Sequence, residues 1–101
     1  MQLDMQYVYE IYKEGSFSKA AEKLFISQPA LSMAIQKLEK SIGMPLFNRR
    51  TRPISLTDAG KIYIQAIEKQ RFLEQDTALQ LEDIRMLKTG HITIAGTHFL
   101  N

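Results

Sequence analysis

The sequence predicts a mostly α-helical domain of four helices with a small two-stranded hairpin before the last helix. Apolar residues recur at helical spacing up to residue 42. The spacing of apolar residues shortens around residues 46–56, which indicates short strands. No proline occurs in residues 58–89, which allows one long helix there. At 101 residues the chain is long enough for one domain with one modest core.

The composition excludes several classes of protein. Cysteine is absent, which excludes disulfides and thiolate metal sites and fits a reducing compartment. No apolar run approaches the roughly 18 residues that span a bilayer. Residues 1–15 carry three acidic residues and no apolar block, so no cleavable signal is expected there. His91 and His98 lack neighbouring carboxylates, so neither a hydrolytic metal site nor a cofactor is expected.

The first two predicted helices are short and amphipathic. Gly15 ends the first, because glycine readily adopts the left-handed conformation of a helix terminus. Ser18 is expected to cap the second, over about residues 18–25. The residues expected to face the core are Met5, Val8, Ile11, Tyr12, Ala21, Leu24 and Phe25.

The third helix follows after a short break. Ser27 caps it, Pro29 lies in its first turn where no intrahelical amide is lost, and Gly43 ends it. Small residues at the end of the preceding helix allow the two to approach closely, as in a helix-turn-helix. The stripe expected to be buried is Leu31, Ile35, Leu38 and Ile42.

Two short strands are predicted next, at residues 46–47 and 54–56. The loop between them, 48–53, ends in a proline that suits a turn or an edge strand. It carries three arginines within four positions: Arg49, Arg50 and Arg52.

Thr57 is expected to cap a fourth helix over 58–89, about 50 Å long at 1.5 Å per residue. Gly90 closes it, and residues 91–95 alternate like a strand. A helix this long must extend beyond so small a domain, which would leave its apolar stripe exposed. The exposed stripe favours pairing with a second copy of the chain. The alternative is packing against the domain's own first helix. The stripe consists of Ile62, Ala66, Leu73, Leu81, Ile84 and Leu87.

The charge and the outward face of the third helix point to an anionic partner. Residues 33–56 hold five basic residues against one acid, although a merely solvated face is the simpler interpretation. Glutamine suits adenine edges and methionine suits a thymine methyl, so this face fits a major groove. With the arginine hairpin it predicts a winged helix-turn-helix. The outward residues are Gln28, Ser32, Met33, Gln36, Lys37 and Lys40.

The pattern of residues 3–65 resembles, without gaps, the N-terminal domain of LysR-type transcriptional regulators. The matching motifs are Gly15-Ser16-Phe17-Ser18-Lys19-Ala20-Ala21, Ser27-Gln28-Pro29-Ala30-Leu31-Ser32, Leu38-Glu39, Pro45-Leu46-Phe47, Arg49 and Leu56-Thr57-Asp58-Ala59-Gly60. The resemblance implies three parts. These are a DNA-binding domain at 1–57, a linker and dimerisation helix at 58–89, and the first strand of an absent effector domain at 90–101. The chain is then a fragment of a longer regulator.

The resemblance also implies roles for individual residues. Gln28, Pro29 and Ser32 match groove contacts, and Arg52 matches the wing-tip residue near the minor groove. Ser18, Ser27 and Arg49 match positions that favour phosphate contact. Arg50 is expected to bind a phosphate because of its place among the clustered arginines of the hairpin, not because of the resemblance. Met33 departs from the arginine common in the family, and Arg50-Thr51 replaces a common Thr-Gly pair.

Each assignment has a structural alternative. In that alternative the two serines serve only as helix caps, Pro29 only rigidifies a helix start, Met33 is simply exposed, and Arg49 pairs with an acid.

The expected partners are double-stranded DNA carrying an inverted repeat and a second copy through the linker helix, in the cytoplasm. No membrane is expected as a partner, and any small-molecule effector would bind the absent domain. The competing hypothesis is a winged-helix module for protein–protein contact. An enzyme is disfavoured because no nucleophile–base set or phosphate-cradling glycine loop is present.

Overall fold

The computed structural model describes residues 2–89, in which α-helices dominate. Their bounds are α1 Leu3–Glu14, α2 Phe17–Leu24, α3 Gln28–Ile42 and α4 Asp58–Thr89, with strands β1 Phe47–Asn48 and β2 Ser55–Leu56 between α3 and α4. The described part of the chain divides into two compact units, residues 2–69 and 70–89. Within the described residues no helix is long and apolar enough to cross a membrane. Gly90, the strand predicted at 91–95 and both histidines lie outside them.

Helix ends largely follow the predicted signals. Gly15 and Gly43 end α1 and α3 with φ of 67° and 93°. The Ser27 hydroxyl accepts a hydrogen bond from the Ala30 amide at 3.2 Å, as an N-cap does. The cap predicted for α2 is wrong by two residues. Ser16, not Ser18, accepts the Lys19 amide at 3.2 Å, and the helix starts at Phe17.

Phe25 is the clearest error of the sequence prediction, because it is 94% exposed rather than buried. It follows the last residue of α2 in the left-handed conformation, with φ of 58°. The Phe25 amide donates a hydrogen bond to Glu22 O, and the Ile26 amide donates one to Ala21 O. This Schellman arrangement turns Phe25 outward and brings Ile26 against the core.

One hydrophobic core joins α1, α2 and α3 to the hairpin and the start of α4. Burial of each larger aliphatic side chain of this core contributes about 1.5–3 kcal/mol to the stability of the folded state. Tyr12 and Ile42, predicted to be inward, are 42% and 36% exposed. Tyr12 lies beside the buried face of α1, and Ile42 is the last residue of α3. The core residues are Val8, Ile11, Phe17, Ala20, Ala21, Leu31, Ile35, Leu46, Phe47, Ile64 and Ile67.

The hairpin is antiparallel, with Phe47 opposite Leu56 and Asn48 opposite Ser55. Both strands start one residue later than predicted, and β2 is one residue shorter. Leu46 stands just before β1. Its carbonyl accepts the Thr57 amide at 3.0 Å, and the Thr57 hydroxyl donates to Pro45 O at 2.7 Å. That hydroxyl also accepts the Gly60 amide at 3.0 Å, which confirms Thr57 as the cap of α4.

The first turns of α4 pack on the core through Gly60, Ile64 and Ile67. This spacing of four and three residues defines one helix face. Ile62 and Ala66 lie on another face, and Ile62 is 69% exposed. Packing of the predicted stripe on the domain's own first helix is therefore not observed.

In the second unit, the described part is the remainder of α4. Leu73 and Leu81 are exposed and flank a shallow groove formed with Gln70, Glu74, Thr77 and Ala78. The other predicted stripe residues of this unit, Ile84 and Leu87, are exposed too.

Candidate nucleic-acid interface

The recognition face is the outward face of α3, formed by Gln28, Ser32, Met33, Gln36, Lys37 and Lys40. Five of these residues are exposed, and Ser32 is half-buried. Buried Leu31 and Ile35 fix the opposite side of the helix against the core. Ser27 and Pro29 hold the N-terminal turn of α3. Gln28, in that turn, lines the same cavity as Arg49 and Arg52 of the hairpin.

The wing is the hairpin with its loop, residues 47–56. Its loop is held internally: the Asn48 side-chain oxygen accepts the Arg50 amide at 3.1 Å, and the Thr51 and Ser55 hydroxyls lie 2.9 Å apart. It is also tied to the turn between α1 and α2, because the Ile54 amide donates to Gly15 O at 3.0 Å. A side chain at position 15 would clash with Pro53, since a Cβ there would lie 2.7 Å from the proline Cβ. Gly15 therefore allows this close approach.

The three wing arginines have different surroundings. Arg49 Nη2 donates to Glu39 Oε1 at 3.2 Å, and its guanidinium lies 4.5 Å from the centre of the Phe17 ring. Arg52 Nη1 folds back on the loop and donates to Arg49 O at 2.6 Å and Thr51 O at 2.9 Å. Arg50 is exposed on the loop.

The wing cleft lies between the start of α3 and the wing and encloses about 320 Å³. It brings together five residues selected from the sequence: Ser18, Gln28, Ser32, Arg49 and Arg52. Hydroxyl and guanidinium donors converge there, and such groups bind phosphate oxygens. The remaining lining residues are Gly15, Ser16, Phe17 and Ile54.

Six other residues selected from the sequence lie outside the lining of the wing cleft: Ser27, Pro29, Met33, Gln36, Lys37 and Arg50. Ser27 and Pro29 hold the first turn of α3, Met33, Gln36 and Lys37 continue along its outer face, and Arg50 lies further out on the wing. The candidate interface is thus a cleft flanked by two exposed polar surfaces.

Sequence reasoning missed Glu39 and Phe17 as parts of this site. In the sequence, Glu39 appears as part of a family motif and as the single acid among the basic residues of 33–56, with no role assigned to it. That isolation was a usable signal, because an acid within a basic patch often pairs with one of its bases. The contact of Phe17 with Arg49 has no signal in the sequence.

A sequence model described as bacterial regulatory helix-turn-helix protein, lysR family, matches residues 3–61. This covers more than half of the chain. The chain belongs to the LysR family. The resemblance inferred from the motifs is confirmed, and this part of the LysR-type chain is a helix-turn-helix DNA-binding domain.

Curated relatives agree with the family. The chain is 40% identical over 87 residues to a probable RuBisCO transcriptional regulator of Gracilaria tenuistipitata var. liui. The aligned residues make up 86% of this chain and 28% of the relative. A protein of the same name from Synechocystis is also 40% identical, with 86% and 25% covered. The LysR-type chain thus spans about a quarter of the length of these relatives.

Solved structures confirm the winged helix-turn-helix fold. The BenM DNA-binding domain in complex with catB site 1 DNA is 35% identical, with a TM-score of 0.69 and coverage of 83% of this chain and 96% of that one. Full-length LysG from Corynebacterium glutamicum is 35% identical with a TM-score of 0.72, covering 79% of this chain and 28% of that one.

Proposed function

We propose that this LysR-type chain binds double-stranded DNA sequence-specifically as a homodimer on an imperfect inverted repeat. The recognition face enters the major groove, and the wing contacts the backbone and the adjacent minor groove. The observation that carries this proposal is the wing cleft, where Gln28 and Ser32 stand beside Arg49 and Arg52. A base-reading helix end and a phosphate-binding surface are thereby adjacent.

The rival function, a protein-binding winged helix, predicts an apolar recognition face. Of the six residues of that face, only Met33 is a large apolar side chain, and it is 69% exposed. The others carry hydroxyl, amide or ammonium groups, which suit base edges and phosphates better than an apolar partner.

The second half of the proposal is the dimer. Four large apolar side chains of α4 are each more than half exposed: Leu73, Leu81, Ile84 and Leu87. Contact of so much apolar surface with water is unfavourable, and it favours a partner that covers it. Two copies of α4 packed antiparallel would cover them and present two recognition faces related by a two-fold axis. Ile62 and Ala66 would extend the same contact.

The family also supports a cellular setting for this proposal. A LysR-type regulator works where chromosomal DNA is accessible, which in bacteria is the cytoplasm. We assign any small-molecule effector to a separate domain rather than to residues 2–89. Full-length LysG from Corynebacterium glutamicum has a structure with bound effector Arg, and the present chain covers 28% of that protein.

Replacing Gln28 by alanine tests base reading. The preferred duplex is first selected from a random-sequence library with the wild-type chain. Gln28→Ala should weaken binding to that duplex by about 1–3 kcal/mol and affect random DNA much less, because the amide's two hydrogen bonds to a base are lost. Fluorescence anisotropy on both duplexes measures this. Gln75→Ala, an exposed glutamine of α4, is the control; equal losses for Gln28→Ala on both duplexes would contradict base reading.

Removal of different wing arginines should change the salt dependence and the sequence dependence of DNA affinity in different ways. Arg50→Ala should weaken all duplexes alike and reduce the slope of log affinity against log salt by about one, as for one lost phosphate contact. Arg52→Ala should weaken sites flanked by A·T pairs more than sites flanked by G·C pairs, because a narrow A·T minor groove attracts arginine. Salt titrations of both variants on both flanks make the comparison. An equal loss on the two flanks would reassign Arg52 to a phosphate.

A further inference from the structure

Glu39 binds the wing and the residue just before the wing at once. Its Oε2 accepts the Leu46 amide at 2.7 Å, immediately before β1, and its Oε1 accepts Arg49 Nη2 at 3.2 Å. The Glu39 side chain is only 14% exposed, whereas that of Arg49 is 39% exposed. The carboxylate is thus a largely buried link between the last turns of α3 and the wing.

Arg49 is held on a second side by an aromatic ring. Its guanidinium lies 4.5 Å from the Phe17 ring centre, and that ring packs edge-on against Phe47 at 5.9 Å. A guanidinium stacked on a fixed ring and bonded to a fixed carboxylate keeps few of its rotamers. It has five N–H donors, and the bond to Glu39 uses one of them.

We propose that Glu39 is a positioning residue of the DNA interface, which holds the Arg49 guanidinium in the wing cleft so that its remaining donors meet a DNA phosphate. This inference rests on the proposed function of Arg49 as a phosphate ligand. Glu39 itself bears the same sign of charge as DNA and opposes binding by direct electrostatics. Its contribution is to order Arg49 before DNA arrives, which reduces the entropy lost on binding.

The two effects have opposite signs, and the variant Glu39→Gln separates them. The amide oxygen of glutamine still accepts the Leu46 amide, so the base of the wing is retained, but the ionic bond to Arg49 is lost. Removal of a negative charge alone predicts tighter binding to every duplex. Loss of positioning predicts binding to the selected duplex that is weaker by about tenfold, within the range of coupling between neighbouring residues. Glu22→Gln, which makes the same charge change on α2, is the matched control.

The experiment measures the affinity of the full chain for selected and random duplexes, and the NMR signals of the Arg49 guanidinium. In E39Q we expect the selected duplex to bind more weakly, an unchanged melting temperature within a few degrees, and Arg49 N–H signals that average by faster rotation. In an Arg49→Lys background, which keeps the charge and loses the planar fork, E39Q should have no further weakening effect. Unchanged or tighter binding by E39Q, unaltered Arg49 signals, or full weakening in the Arg49→Lys background would each overturn the proposal.

Failure of the proposed function would look different. In that case the wild-type chain itself would not discriminate the selected duplex from random DNA, whatever the state of Glu39. If the wild type discriminates and E39Q discriminates equally well with equal affinity, only the positioning role is wrong.

Discussion

Adding a single methyl group at residue 60 should destabilise the domain strongly. A Cβ at Gly60 would lie 2.0 Å from the Leu46 carbonyl oxygen and 3.1 Å from Leu56 Cδ2, and the nearer atom belongs to the backbone at the base of the wing. The clash cannot be relieved by a side-chain rotation. Gly60→Ala should therefore lower the free energy of unfolding by about 2–3 kcal/mol or more.

The sign of this effect is diagnostic. In an exposed helix interior, glycine to alanine stabilises by about 1 kcal/mol, because glycine has the larger conformational entropy to lose. Thermal unfolding followed by circular dichroism should show a fall of about 10 °C or more for Gly60→Ala. Gln65→Ala, on the exposed side of the same helix, should change the melting temperature little. A Gly60→Ala variant as stable as the wild type would mean that α4 does not approach Leu46 this closely.

The largest effect on DNA binding is expected from the double variant Leu73→Asp/Leu81→Asp. These side chains are 61% and 62% exposed, and in the proposed dimer they are covered by the second copy of α4. Two buried carboxylates would oppose that contact, so the variant should be monomeric at concentrations at which the wild type is a dimer. Affinity for a duplex with two half-sites should fall by about 10²–10⁴, because bivalent binding is lost.

Sedimentation across a concentration series measures the oligomeric state, and anisotropy on one-half-site and two-half-site duplexes measures the loss of bivalency. Leu79→Asp is the control, since Leu79 is 65% exposed on the same helix but lies about 120° or more from Leu73 and Leu81 around its axis. The stripe is the wrong interface if Leu79→Asp dissociates the protein as readily. The dimer itself is excluded if the wild-type chain sediments as a monomer at high micromolar concentration.

Most helix ends are predictable from local sequence, and the cap of α2, expected at Ser18 and found at Ser16, is the exception. Gly15 and Gly43 end their helices, and Ser27 and Thr57 cap theirs, because these signals depend on one residue and the backbone next to it. The long α4 was also predictable, since no proline occurs in it and its cap is strong. The family motifs identified the fold and the DNA-binding role before any side chain was placed.

The tertiary structure decided which side chains those elements bury and how the interface is held. Phe25 was expected inside, but the Schellman turn directs it outward and places Ile26 against the core instead. Ile64 and Ile67 face the core because the close contact of Gly60 with Leu46 sets the rotation of α4. The bond between Glu39 and Arg49 joins residues ten positions apart on different elements. No helical or strand period reports such a contact, because it exists only once α3 and the wing have packed together.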